Sequence, residues 1–199
     1  MFPLPSTHRK STSLSQYGVR SVLLAASMAA TVVSLPAGAQ TTEPAAVSNA
    51  TAQSELASSD SSLLLDLAEG NRAEVQAGKL ALEKSEDAKI RQFAQSMIDD
   101  HGKALTEVES LAQQKNAKLP DGIGIAHKTK ELALRALSGQ SFNAQYIKRA
   151  GVGDHENTVK LLKKIQTEGK DADLKALANK LLPTVEKHLA MARQLDSSK

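Results

Sequence analysis

Residues 90–112 read IRQFAQSMIDDHGKALTEVESLA, and this stretch decides the fold. Its apolar residues recur with the period of an α-helix that is buried along one side. They are Ile90, Phe93, Ala94, Met97, Leu105, Val108, Leu111 and Ala112. Ser85 and Asp87 stand just before this stripe as helix-capping residues. The pattern predicts a helix over residues 86–116, with the polar side chain of His101 on its buried face.

The same period recurs in three further segments, so the sequence predicts four long helices. The other three are expected over residues 61–84, 140–168 and 171–195, with a short extra helix over about 127–137. Residues 87–95 also match residues 171–179 weakly, which indicates that the second and fourth long helices begin alike.

The connection over residues 117–139 is long enough to travel the length of such a bundle. A ferritin-like plan, in which two helical hairpins are joined by a crossover, requires a connection of this kind. A simple up-and-down bundle with the short helix capping one end is the alternative. We therefore expect an all-α, ferritin-like four-helix bundle over residues 61–196, with a long crossover that contains the short helix.

The first residues of the chain have the features of a secretory signal peptide. Arg9, Lys10 and Arg20 precede an apolar run that ends in Ala37-Gly38-Ala39, which predicts cleavage after Ala39. The run is too short and too rich in small residues to be a lasting membrane anchor. We expect residues 1–39 to be removed and residues 40–60 to form a flexible linker. The protein is then exported to the periplasm, with outer-membrane association or secretion as variants.

Composition excludes several classes of function. Cleavage would remove three of the 25 basic residues and none of the 22 acidic ones, so the mature chain carries no net charge. With aromatic residues at 3% there is no basis for a nucleic-acid partner. The chain has no cysteine, which excludes disulfides and lipid attachment at a cysteine. No serine stands in the context of a hydrolase nucleophile.

Each long helix is predicted to point one ionisable side chain into the core. Glu74, His101, His155 and His188 fall on the apolar stripes of the first to fourth long helices. Measured along the chain from the two hairpin turns, these residues lie at similar heights. We expect all four to share one layer in the middle of the bundle.

Two explanations of this layer remain open. A buried carboxylate beside neutral imidazoles is costly unless it is paired or binds a metal, so the layer is either a structural hydrogen-bond network or a metal site. As a hypothesis, Glu74, His101, His155 and His188 bind one transition metal ion, which is Zn, Cu or Fe. Asp100 and Asp154 would then be partners of the ligands at most. The Glu-x-x-His pairs of di-iron bundles are missing, so ferroxidase activity is not expected.

The chain resembles a bacterial family of exported proteins named domain of unknown function 4142. The resemblance covers about residues 62–195. Its marks are AEGNRAEV at 68–75, FAQSMIDDH at 93–101, LSG at 137–139 with Phe142 and Tyr146, DHE at 154–156, and Leu182-Pro183 with His188-Leu189. The resemblance implies a ferritin-like bundle in the cell envelope, often labelled an outer-membrane protein, and no established activity.

The sequence is therefore compatible with two functions from different classes. The first is an exported bundle that binds a metal or cofactor in its core. The second is a non-enzymatic envelope or stress-related protein that binds a protein partner or forms a homo-oligomer. Neither of these two functions specifies a chemical reaction.

Overall fold

The computed structural model describes residues 55–197, and all the regular secondary structure in this part of the chain is helical. The predicted signal peptide and most of the predicted linker lie outside the described residues. The helical segments are α1 (Ser58–Lys84), α2 (Ala88–Gln114), α3 (Gly124–Arg135), α4 (Gly139–Tyr146), a π-helical segment (Ile147–Asp154), α5 (His155–Glu168) and α6 (Ala172–Ser197). The prediction of an all-α bundle is confirmed.

Short polar turns close two helical hairpins. In the first turn, the Asp87 carboxylate accepts hydrogen bonds from the backbone N–H groups of Lys89 and Ile90, which satisfies two donors at the start of α2. Asp171 does the same for the backbone N–H groups of Asp173 and Leu174 at the start of α6. The two halves of the weak repeat thus begin with the same cap.

The apolar core has two parts, one at each end of the bundle. One part joins the start of α1 and the end of α2 to the end of α5 and the start of α6, and it includes Leu64, Val108, Ile165 and Leu174. The other lies around the α1–α2 turn and includes residues of α4 and the end of α6. Helices α2 and α5 therefore end at the same end of the bundle, whereas α4 lies at the opposite end. The connection from α2 to α4 must cross the whole length of the bundle.

Helix α3 lies within this crossover. Helix α2 ends where Asn116 adopts a positive φ of 52°, and α3 begins at Gly124, whose φ of 70° suits glycine. The α3 residue Leu134 is buried in the second part of the core. None of the helices formed by residues 55–197 is long and apolar enough to span a membrane.

The observed helix ends lie within three residues of the predicted ones, but the third long helix is not uniform. Its central residues 147–154 form a π-helix, in which each turn is wider than in an α-helix. This segment contains Gly151 and Gly153, the weak helix formers that precede His155. A β-carbon on Gly151 would stand only 3.0 Å from the Cβ of Ala192, so the glycine allows the segment to pack closely on α6.

Candidate metal centre

A polar layer separates the two apolar parts of the core. Three histidines meet in it: His101 from α2, His155 from the first position of α5 and His188 from α6. Their exposed fractions are 4%, 1% and 1%. One nitrogen from each ring lies within 4.8 Å of the others, and the ring centroids are 5.3–5.6 Å apart. The structure thus brings together three of the four residues that the sequence analysis placed in one layer.

Asn71 determines which nitrogen of His101 carries the proton. Its Nδ2 group lies 2.7 Å from the backbone carbonyl of Leu67, which can only accept a hydrogen bond, so the amide oxygen must face the other way. That oxygen lies 2.9 Å from Nδ1 of His101. In the neutral ring Nδ1–H therefore donates a hydrogen bond to the Asn71 oxygen. Nε2 carries no proton, and its lone pair is free to bind a metal ion.

The π-helical segment determines the tautomer of His155 in the same way. Nδ1 of His155 lies 3.0 Å from the backbone carbonyl of Ala150, five residues earlier in the chain. A carbonyl accepts only, so the neutral ring donates from Nδ1 and its Nε2 carries the lone pair. This nitrogen faces Nε2 of His101 at 3.3 Å.

Asp100 orients the third ring. Nε2 of His188 donates to the Asp100 carboxylate at 3.0 Å. The other nitrogen, Nδ1, is buried and has no hydrogen-bond partner among the described residues. Each of the three rings therefore donates one N–H hydrogen bond to a neighbouring acceptor and keeps one ring nitrogen without a proton.

Burial keeps these rings neutral. It lowers the pKa of His101 well below its ordinary range, and the neighbouring His155 and His188 lower it further. Burial lowers the pKa of His155 to about 4, although its bond to Ala150 opposes the shift. The pKa of His188 is also lowered by burial, against the opposing effect of Asp100. Three neutral imidazole rings thus meet in this layer, and the unprotonated nitrogens of His101 and His155 face each other.

Glu74 lies in the same layer but on another side of His155. Its Oε1 is 3.9 Å from Nδ1 of His155, the nitrogen that bonds to Ala150, and its carboxylate is not part of the three-nitrogen group. Its Oε2 is buried without a partner among residues 55–197. Burial raises the pKa of Glu74 well above its ordinary range, and the nearby Asp154 raises it further. The carboxyl group is therefore held towards its neutral form.

The two aspartates that precede inward histidines take different partners. Asp100 contacts His188 on another helix rather than its own neighbour His101. Asp154 instead pairs with Lys130 of α3.

Sequence reasoning missed two functional groups of this layer, Asn71 and the carbonyl of Ala150. Asn71 is 4% exposed and stands four residues after Leu67 and three before Glu74, so it falls on the apolar stripe of α1. That stripe position was a usable signal. The Ala150 carbonyl left no such signal, because a backbone group carries no sequence information.

Solved structures with a similar fold include a DUF305 fragment from Deinococcus radiodurans. It has a TM-score of 0.65 and 11% identity, and the match covers 73% of this chain and 99% of that one. CopM in its Cu(II)-bound form has a TM-score of 0.59 and 17% identity, with 70% and 96% coverage. CopM in its Cu(I)-bound form has the same TM-score and coverage with 15% identity. At these identities the likeness is one of fold.

No curated protein sequence matches this chain. The family model described as "Domain of unknown function (DUF4142)" matches residues 45–195. That span includes all three histidines, Asn71, Glu74 and every described helix up to Leu195. The chain therefore belongs to the DUF4142 family.

Proposed function

We propose that this protein is an exported helical bundle that binds one transition metal ion through His101, His155 and His188. The observation that carries the proposal is the meeting of three neutral histidine rings in a buried layer, each with one ring nitrogen that carries no proton. Acceptors that face one another without a donor repel, and a cation removes that repulsion. Because burial lowers the pKa of every ring, a metal ion fits this role better than a proton.

The spacing of the nitrogens supports a metal as well. Ions such as Zn²⁺ bind histidine nitrogens at about 2.0–2.1 Å, so two nitrogens of a tetrahedral site stand about 3.4 Å apart. The Nε2 atoms of His101 and His155 are 3.3 Å apart. The hydrogen bonds to Asn71, Ala150 and Asp100 are of the kind that orient metal-binding histidines.

Copper is the first ion to test. Imidazole ligands suit Cu, Zn and Fe, and the absence of cysteine rules out a thiolate site. CopM, whose solved forms hold Cu(II), Cu(I) and Ag, shares the fold at 15–17% identity. In this proposal Glu74 is not a metal ligand. The predicted signal peptide would export the protein, so that it would bind metal outside the cytoplasm.

Metal titration of the purified protein tests the proposal. We expect one equivalent of copper or zinc to bind and to raise the melting temperature. Changing His101, His155 or His188 to Gln should weaken binding by more than the roughly ten- to hundredfold loss expected for an outer partner. Glu74→Gln should bind almost as tightly as the natural protein.

His127→Gln is the matched control, because His127 lies on α3 outside the three-nitrogen group. This variant should bind metal normally. If the natural protein binds no stoichiometric Cu, Zn or Fe, and if these ions leave its melting temperature unchanged, the proposal is wrong. The structural or partner-binding function would then be favoured.

A further inference from the structure

The three histidines leave a tetrahedral ion one ligand short. No fourth histidine, cysteine, aspartate or glutamate side chain joins their group among residues 55–197, and Glu74 lies on the Nδ1 side of His155. Structural zinc sites are closed by four protein ligands, whereas sites with three keep a position for an exogenous ligand. A ligand at the fourth position would have to reach the bound ion from outside the bundle.

A cavity of about 160 Å³ reaches the layer between α1, α2, α5 and α6. Two of the three proposed ligands, His101 and His188, line it, together with their partners Asn71 and Asp100. Its volume is well below the roughly 300–1,000 Å³ of sites for drug-sized molecules. The cavity therefore suits a ligand of only a few atoms.

The charges at this cavity are balanced. Lys180 pairs with Glu107 at 2.7 Å, and Lys103 lies 3.8 Å from Asp100. Both lysines are exposed at the rim of the cavity, and their two positive charges are balanced by the two carboxylates. A neutral or singly negative ligand meets no electrostatic barrier there.

A second cavity, of about 330 Å³, which we call the acidic cavity, differs from the first in its charge and in its lining. None of the three histidines lines it. Its four carboxylate-bearing residues are Asp66, Glu69, Glu74 and Asp154, against the single lysine Lys130. Lys130 is already paired with Asp154, so the unpaired negative charges of Asp66 and Glu69 disfavour an anionic ligand.

We infer that the smaller cavity, which we call the histidine cavity, delivers a small monodentate donor to the fourth position of the bound ion. The donor is a neutral or singly negative nitrogen, oxygen or halide ligand. This inference rests on the proposed function, because it requires an ion at the three histidines.

Azide binding to the Cu(II)-loaded protein tests the inference. Azide should change the absorption and electron paramagnetic resonance spectra of the copper in a saturable way. Ala104 lines the histidine cavity, so Ala104→Leu should fill it and weaken azide binding by about tenfold or more. Copper should still bind at one equivalent, because Ala104 is not a ligand.

Ala126→Leu is the matched control, since the same change is then made in the acidic cavity. It should bind azide as the natural protein does. Thr184→Leu provides a second block on α6, at an exposed position that should tolerate the change if Ala104→Leu does not fold.

Three results would overturn the inference while copper still binds. They are the absence of any azide response, full azide affinity in both blocked variants, and a loss of azide affinity in Ala126→Leu instead. A failure of copper to bind at all would remove the proposed function, and the ligand position with it, so the two failures can be told apart.

Discussion

The two helical hairpins start from the same design and differ where they meet the polar layer. Helices α2 and α6 begin with equivalent aspartate caps, Asp87 and Asp171. In the first hairpin, α1 and α2 are continuous α-helices of 27 residues each. In the second, a π-helical segment precedes His155, and Pro183 lies inside α6 one turn before His188.

The second hairpin is thus less regular than the first where it contributes to the proposed metal site. It supplies two of the three histidines, and each of these two histidines follows one of the irregularities. A π-turn and an internal proline each weaken helical hydrogen bonding, so they are expected where function opposes stability. The first hairpin supplies His101 and holds it with a side chain, Asn71, which requires no such distortion.

Among the changes that test this comparison between the hairpins, removing the π-turn should have the largest effect. Deleting Gly153 removes the extra residue that a π-turn accommodates and allows an ordinary α-helix from α4 into α5. The Ala150 carbonyl can then no longer accept from Nδ1 of His155, so we expect metal affinity to fall by about ten- to hundredfold. The helical circular dichroism and the melting temperature of the metal-free protein should be retained.

The substitution Gly153→Ala is the control for this deletion. A β-carbon at this position would meet only the Lys148 carbonyl oxygen, at an ordinary 3.5 Å, so the segment keeps its length and form. Metal affinity should be unchanged. Normal affinity in the deletion variant would mean that the π-turn has no part in the site.

Acid should disrupt the contact between the hairpins. The pKa of His155 is about 4 in the folded protein and about 6.5 in the unfolded chain, so the unfolded state binds more protons between these values. The stability from neutral His155 is present above pH 6.5 and is lost as the pH falls towards 4. For the metal-free protein, we expect the free energy of unfolding to drop by about 2 kcal/mol between pH 7 and 5 from His155 alone.

Urea unfolding at both pH values measures this change. His101, whose pKa is also lowered, should add to the loss. The variant His155→Gln should show a smaller pH dependence than the natural protein. Equal stability at pH 7 and pH 5 would contradict the burial of neutral histidines.

The smallest effect should come from two glycines of the regular hairpin. A β-carbon on Gly78 would stand 2.9 Å from the carbonyl oxygen of Ala94, and this backbone atom cannot easily move. Gly78→Ala should therefore lower the melting temperature, at a cost of about 1 kcal/mol or more. Gly70, in the same helix, has no heavy atom within 4 Å of such a carbon, so Gly70→Ala should stabilise by up to about 1 kcal/mol. The opposite order would show that α1 and α2 are not closely packed.

Most of the fold could be predicted from the sequence because it depends on periodicity. The apolar stripe of residues 90–112 and the caps at Asp87 and Asp171 specify the hairpins, and the length of residues 117–139 suggests the crossover. Helical period also places Glu74 and the three histidines in one layer.

The details of the candidate site could not be predicted in the same way. Helical period gives the face on which a side chain lies, but not the direction of its final bonds, so it could not show that Glu74 would lie on the Nδ1 side of His155. The glycines before His155 indicated a weak helix, but not a π-turn. The bond from His188 to Asp100 joins residues 88 positions apart and depends on how the hairpins pack.

The most direct test of the central claim is a crystal structure of the protein grown with copper or zinc, with data collected at the absorption edge of the metal. We predict one anomalous peak about 2 Å from Nε2 of His101, Nε2 of His155 and Nδ1 of His188. We also expect the hydrogen bonds from these rings to Asn71, Ala150 and Asp100 to persist. A fully ordered polar layer with no peak, or a peak at Glu74 in the acidic cavity instead, would contradict it.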